Sequence, residues 1–183
     1  MNPLWIFLGV VAAVVLFVIW SYNRLIVLRN RIDNSWSQID VQLKRRNDLI
    51  PNLIETVKGY AKHEKSLLVD LTKARTAILG AKTLSAKAKA DGMLSETLKS
   101  LFAVSENYPQ LKANENFLQL QEELSGTESK IAYARQFFND SVLDFNNLLQ
   151  RFPTNVIGGW LKFSAREFFK AAEHERKNVN VEF

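Results

Sequence analysis

The chain contains no cysteine among its 183 residues. This absence excludes disulfide bonds, thiolate metal sites, a cysteine nucleophile and a lipid-modified cysteine. Glycine and proline are also scarce, with seven and four residues. Because turns depend on these two residue types, their scarcity favours long helices over a sheet with many turns.

Motifs that carry catalysis are missing as well. The sequence has no P-loop, no G-x-S-x-G and no G-x-G-x-x-G. His63-Glu64 begins like the zinc motif H-E-x-x-H, but Leu67 occupies the position of the second ligand. Glu122 and Glu123 are adjacent and therefore point about 100° apart on a helix, which excludes a paired-carboxylate site. The sequence predicts a protein that is not an enzyme and that binds no metal or cofactor.

The charge balance points away from nucleic acid. The net charge is +5 at pH 7, and the basic residues alternate with acidic ones along the predicted helices, as on a solvated helix face. An anionic lipid surface suits this modest excess better than DNA does. We therefore predict the lipid bilayer as a partner and no nucleic acid.

One long apolar run is present, at the N-terminus. Leu4–Trp20 comprises seventeen uncharged residues, of which twelve are Leu, Ile, Val or Phe, and the first charged side chain is Arg24. Those twelve supply roughly −4 to −7 kcal/mol of insertion free energy. The run predicts a transmembrane anchor over residues 1–21, with Trp5, Trp20 and Tyr22 near the two interfaces. Its predicted transmembrane residues include Leu4, Ile6, Phe7, Val10, Val14, Phe17, Ile19 and Trp20.

A cleaved signal peptide is the alternative to an anchor. It requires a basic residue before the apolar run and small residues at the cleavage site, and this sequence has neither. Arg24, Arg29 and Arg31 follow the run, so the positive-inside rule favours a bulk domain in the cytoplasm and a short N-terminus outside.

Behind the anchor, apolar residues recur at alternating spacings of three and four, which is typical of helices packed in a bundle. The first stripe continues to Tyr60 and contains Pro51, which predicts a kink. The last apolar stripe lies in a helix expected over 112–151 and continues to Phe152. The predicted fold is all-α: the anchor leads into an antiparallel bundle of three to five helices over 22–153, followed by an amphipathic, aromatic tail over 154–183. The predicted seam residues are Trp36, Ile39, Leu43, Ile50, Leu53, Phe117, Leu120, Leu124, Ile131 and Phe138.

Two segments between the stripes allow more than one interpretation. Residues 86–92 lack an apolar stripe and include Asp91-Gly92, so they form either a weak helical extension or a turn. The aromatic and basic tail either covers the open end of the bundle or lies on a membrane or partner surface. Asn107-Tyr108-Pro109 is expected to break the chain between helices.

Arg46 falls at a seam position, where a charge must find a partner or reach the solvent. Glu55 and Glu128 are its candidate partners. We predict that the resulting ion pair fixes the register of the bundle, with recognition of a ligand as the alternative role.

Several motifs resemble the LemA family of bacterial membrane proteins. They are the Tyr-Asn-Arg-Leu of 22–25, the Gln-Leu-Lys-Arg-Arg-Asn-Asp-Leu-Ile-Pro-Asn-Leu of 42–53 and the Thr-Val-Lys-Gly-Tyr-Ala of 56–61. Others lie at 106–109, 116–124, 127–128, 134–139 and 179–183. Asn47 departs from the tyrosine common in the family.

The resemblance implies a single-span protein of the bacterial cytoplasmic (inner) membrane, with an antiparallel helical domain and without catalytic residues. Some members look like lipoproteins with an extracytoplasmic domain, which opposes the charge rule, so the side of the membrane stays open at this point.

The function expected from these features is that of a non-enzymatic membrane scaffold or adaptor. It would act through helix–helix contacts as a homo-oligomer, and a second membrane protein is a possible partner. The anchor confines such molecules to a plane and raises their effective concentration. A membrane-anchored sensor that binds a ligand between its helices, in envelope signalling, is the alternative.

Overall fold

The structure is a computed structural model that describes residues 2–61 and 63–170. Within these ranges the chain is helical and contains no strand, which confirms the predicted all-α fold. In chain order the helices are α1 (Pro3–Lys58), α2 (Lys65–Gly80), α3 (Leu84–Ser105), α4 (Pro109–Lys112), α5 (Glu115–Gln150) and α6 (Thr154–Trp160).

Helix α1 carries both the apolar run and the first bundle stripe over 56 residues without interruption. Pro51 lies inside it, and the helix continues for seven more residues to Lys58. The flanking Ile50 and Leu53 are both fully buried. Burial on either side of the proline offsets the lost backbone donor, because tertiary packing supplies most of the stability of helices in proteins.

The apolar part of α1 is long and hydrophobic enough to cross a membrane, with a mean hydropathy of 2.6 and only 6% of that window buried. It is the one such helix in the described part of the chain. Most of the side chains predicted to be transmembrane are exposed, from 51% at Ile19 to 64% at Phe7. Length and composition thus make this segment a candidate membrane anchor, although a signal sequence meets the same two criteria.

Two compact units make up the chain, one from residues 1–37 and 135–168 and the other from 38–134 and 169–183. In the first unit, α1 and α5 run antiparallel. The rings of Trp36 and Phe138 lie 6.0 Å apart, and Arg31 reaches Asp144 at 3.9 Å. Residue numbers therefore fall along α1 as they rise along α5. The buried apolar residues of this unit are Leu25, Leu28, Ile32, Phe138, Val142, Phe145 and Ile157.

In the second unit, one apolar core joins five helices. It takes Ile50, Leu53 and Val57 from α1, while Leu111 comes from α4. Ala61 comes from the turn after α1. The remaining members belong to α2, α3 and α5 and are Leu68, Leu71, Ala74, Ile78, Ala90, Leu94, Leu98, Leu101, Phe117 and Leu124. The second unit is thus a helical bundle with a shared core.

The segment 86–92 belongs to α3, so it is the helical extension and not the turn. Thr83 caps the helix by accepting a hydrogen bond from the backbone nitrogen of Ala86 at 3.2 Å. Asp91 and Gly92 are both buried in its interior. The expected break at 107–109 separates α3 from α4.

Helices α1 and α5 end before the last residues of the apolar stripes predicted for them. Tyr60 follows the end of α1 at Lys58 and is 40% exposed, while Ala61 takes its place in the core. Phe152 follows the end of α5 at Gln150 and is 83% exposed. Both residues were wrongly included in the stripes, because a chain that leaves the helix no longer keeps the helical period.

Candidate functional site: a buried ion-pair cluster and an apolar groove

The second unit contains a buried polar cluster centred on Arg46. Its Nη1 donates hydrogen bonds to Oδ1 of Asp91 at 2.9 Å and to Oγ of Ser95 at 3.1 Å. Its Nη2 lies 2.5 Å from Oε2 of Glu128. Arg46 is 3% exposed and Asp91 is fully buried, whereas the Glu128 side chain is 46% exposed. The cluster therefore joins α1, α3 and α5.

Helical spacing explains why these side chains meet. Asp91 and Ser95 are four residues apart on α3 and so lie on one face. Glu128 follows Thr127, which is buried on α5, and this places the carboxylate at the edge of the packed face. Ser95 also donates to the two oxygens of Glu128, each at 3.3 Å. The serine thus bridges the carboxylate and the guanidinium.

Of the two predicted partners of Arg46, the structure brings Glu128 to it and not Glu55. Glu55 is 73% exposed and accepts from Lys58 at 2.7 Å. The partner that sequence reasoning missed is Asp91. The pair Asp91-Gly92 is a frequent turn signal, and a charged residue does not stand out as a seam position. The clue to the helical position of Asp91 is the spacing of four residues from Asp91 to Ser95, which equals that from Leu94 to Leu98.

The predicted seam residues lie mostly inside the chain. Trp36 and Leu120 are half-buried. The others are at most 4% exposed: Ile39, Leu43, Ile50, Leu53, Phe117, Leu124, Ile131 and Phe138.

An open groove of about 850 Å³ lies on the second unit beside the end of α1 and the start of α2. Its apolar lining is Ile54, Ala61, Leu68 and Val69, and the lining residues include no carboxylate. The polar residues that complete it are Lys58, His63, Lys65, Thr72 and Lys73. Two of the lining lysines pair with carboxylates that are not part of the lining: Lys58 pairs with Glu55, and Lys73 pairs with Asp70.

A hydrogen bond holds the turn beside this groove. The Tyr108 hydroxyl donates to Oε1 of Glu64 at 3.0 Å. Because this bond, together with desolvation and the negative charge of Glu64, favours the neutral phenol, the pKa of Tyr108 is raised above its usual 10.0. The contact fixes Glu64 between the groove residues His63 and Lys65.

A smaller cavity of about 280 Å³ adjoins α1 and α2 at Asn47. Asn47 is 1% exposed, and neither its amide nitrogen nor its amide oxygen has a hydrogen-bond partner in the structure. Leu43, Ile78 and Leu79 supply apolar walls, and Lys87 pairs with Asp40 at the lining. A buried amide without partners is costly, so this cavity is suited to a group that both donates and accepts.

Among the described residues, no group of three or more histidine or acidic side chains is placed to hold a metal ion.

Comparison with known proteins gives one family. A sequence model of the LemA family matches residues 35–183. Protein LemA of Metamycoplasma hominis is 28% identical over 162 residues, which span 87% of this chain and 73% of that protein. Magnetosome protein MamQ 2 of Paramagnetospirillum magneticum is 22% identical, over 87% of this chain and 68% of its own length. Magnetosome protein MamQ of Magnetospirillum gryphiswaldense is 22% identical over 83% and 65%.

The buried cluster generates a stability prediction. Asp91→Ala should lower the free energy of unfolding by about 3–5 kcal/mol, because it removes the fully buried partner of a buried guanidinium. The double variant Arg46→Met, Asp91→Leu should recover most of that loss, since it removes both charges. Denaturant titration of the full chain in detergent, followed by circular dichroism, measures both.

Asp70→Ala is the matched control, because Asp70 pairs with Lys73 while 57% exposed. Its cost should stay within about 1 kcal/mol. An Asp91→Ala variant no less stable than this control would contradict the structural role of the cluster.

Proposed function

This chain belongs to the LemA family and is a membrane-associated helical protein; from that premise we propose that it is a non-enzymatic, single-pass membrane adaptor. Its second unit receives an acidic amphipathic helix of a partner membrane protein. The observation that carries this proposal is the open groove on a helical bundle whose first helix also contains a candidate membrane span.

The groove has the chemistry of a helix-binding surface. Ile54, Leu68 and Val69 offer apolar contacts, as grooves that bind amphipathic helices do. Among the residues that the structure describes, three lysines and no carboxylate line it, so a helix with glutamates beside its apolar stripe is complementary in charge.

The predicted self-association needs surfaces other than the seams. Most seam residues are buried against other parts of the same chain, as Leu53 and Leu124 are. They are therefore not exposed to a second copy. The groove is the more accessible apolar surface, and we propose it as the place of the helix–helix contact.

We further propose that the bulk of the chain faces the cytoplasm of a bacterial inner membrane. Arg24, Arg29 and Arg31 follow the proposed span within eleven residues. Short segments rich in lysine and arginine remain on the cytoplasmic side.

A second candidate function is recognition of a small ligand at Asn47. The buried amide without partners favours it, and the matching ligand chemistry is a carboxamide with a short branched alkyl chain. Such a molecule would satisfy both polar atoms of Asn47 and contact Leu43 and Ile78.

The groove generates a binding prediction. A synthetic helical peptide with leucines at i, i+3, i+4 and i+7 and flanking glutamates should bind the full chain in detergent, as measured by fluorescence anisotropy. Val69→Glu combined with Lys73→Glu should weaken binding at least about tenfold, since a buried apolar contact and a charge pair are both lost. Added salt should weaken it further.

Two controls isolate the groove. Leu79→Glu changes a 66% exposed residue of the same helix outside the groove and should leave affinity unchanged. A peptide with lysines in place of the glutamates should bind weakly. Equal binding of both peptides, or no effect of the groove variant, would refute the adaptor proposal.

The cavity generates a separate prediction. N-acetyl-leucinamide should give saturation-transfer NMR signals with the full chain. Asn47→Leu should abolish these signals, because it removes the cavity amide that has no hydrogen-bond partner within the described structure. Asn52→Leu, on an exposed position of the same helix, is the matched control and should retain them. Undiminished signals in Asn47→Leu would sink the ligand hypothesis.

A further inference from the structure

Three apolar side chains stand exposed at one end of the first unit. Phe152 is 83% exposed, Val156 63% and Trp160 75%. Val156 and Trp160 are four residues apart and lie on one side of α6, and Phe152 lies in the turn that precedes this helix. The opposite side of α6 is occupied, because Thr154 and Ile157 are buried and a Cβ at Gly158 would collide with the Leu149 side chain. We call Phe152, Val156 and Trp160 the α6 face.

The α6 face lies at the level where the apolar run of α1 ends. From Trp36–Phe138 to Arg31–Asp144, residue numbers on α1 fall by five while those on α5 rise by six. The same antiparallel register brings Gln150, the last residue of α5, to about residue 25 of α1.

The segment after α6 returns to the same level. The ring of Phe163 lies 6.4 Å from that of Tyr22 and 6.3 Å from that of Phe145. Tyr22 follows the apolar run by two residues. Both ends of the segment 151–163 therefore lie beside the first turns that follow the span.

In the described part of the chain, the charged side chains at this level are all basic. Arg24, Arg151 and Lys162 are exposed. No aspartate or glutamate occurs in residues 1–32 or 145–166. This surface is complementary to anionic lipid headgroups, which attract lysine and arginine near a span.

From this placement we propose that the α6 face is a second membrane contact, inserted into the headgroup region of the anionic bilayer that the α1 span crosses. The proposal rests on the proposed membrane span. Aromatic residues favour this interface, and Trp160 and Phe152 provide them. The α6 face would enter to a depth of about 5–10 Å, while Arg151 and Lys162 contact lipid phosphates. The two contacts together fix the tilt of the first unit relative to the membrane. The α1 span alone would leave this tilt unrestricted.

Because the chain has no cysteine, spin labels can report the contact without other changes. Single-cysteine variants Phe152→Cys, Val156→Cys and Trp160→Cys of the full chain are labelled and reconstituted into vesicles of phosphatidylcholine and phosphatidylglycerol. Power saturation compares access of oxygen, which concentrates in lipid, with that of a nickel chelate, which stays in water. The three labels should show high oxygen and low nickel access.

Gln136→Cys is the matched control. It is exposed on α5 in the same unit, about 20 Å along the helix from Gln150, and its label should remain accessible to nickel. In vesicles of phosphatidylcholine alone, or after Arg151→Gln with Lys162→Gln, the α6 labels should shift towards the aqueous ratio.

The remaining outcomes refute the proposal in distinguishable ways. Labels on the α6 face that stay aqueous in a chain that still floats with the vesicles would overturn this contact and leave the span intact. A chain that fails to float would overturn the span itself. Labels shielded from both reagents would indicate a protein partner, and equal immersion without anionic lipid would exclude the role of the charges.

Discussion

The structure depends on one requirement: the apolar length of α1 has to be removed from water. The chain leaves this surface uncovered, with side chains such as Phe7, Val14 and Trp20 more than half exposed. Apolar surface contributes about 25 cal/mol per Å² when it is removed from water, so a bilayer accounts for the segment far better than solvent does. The same helix continues to Lys58 and supplies the core residues Ile50, Leu53 and Val57. The candidate span and part of the bundle core therefore belong to one helix.

A buried polar cluster joins three helices of the second unit. A core made only of leucine, isoleucine and alanine tolerates shifts in register, whereas Arg46 requires Asp91 and Glu128 at particular positions on two other helices. A buried ion pair adds little to stability compared with apolar residues of the same size, but breaking it is expensive. We infer that Arg46 contributes more to the specificity of helix packing than to the stability of the bundle. The groove and the cavity at Asn47 follow from the same arrangement, because both lie where α1 meets α2.

Much of this could be predicted from the sequence. The apolar run and the spacings of three and four identify the candidate span, the all-α class and most buried positions, because hydropathy and helical periodicity are local properties. Arg46 was recognised by its position within a stripe. Asp91 was not, since Asp-Gly has a strong local preference for turns that tertiary burial overrides here. Tyr60 and Phe152 show that a stripe does not reveal where its helix ends. The groove and the α6 face depend on how separate segments fold against each other, which no local pattern encodes.

The most direct test of the account is the sidedness of the span, measured by single-cysteine labelling in intact bacterial cells with a maleimide that does not cross membranes. Asn2→Cys precedes the apolar run, and Gln136→Cys lies in the exposed part of α5. The account predicts that the label reaches position 2 in intact cells and position 136 only after the membrane is opened. Labelling of both positions in intact cells, or of neither, would contradict a single span with a cytoplasmic bundle.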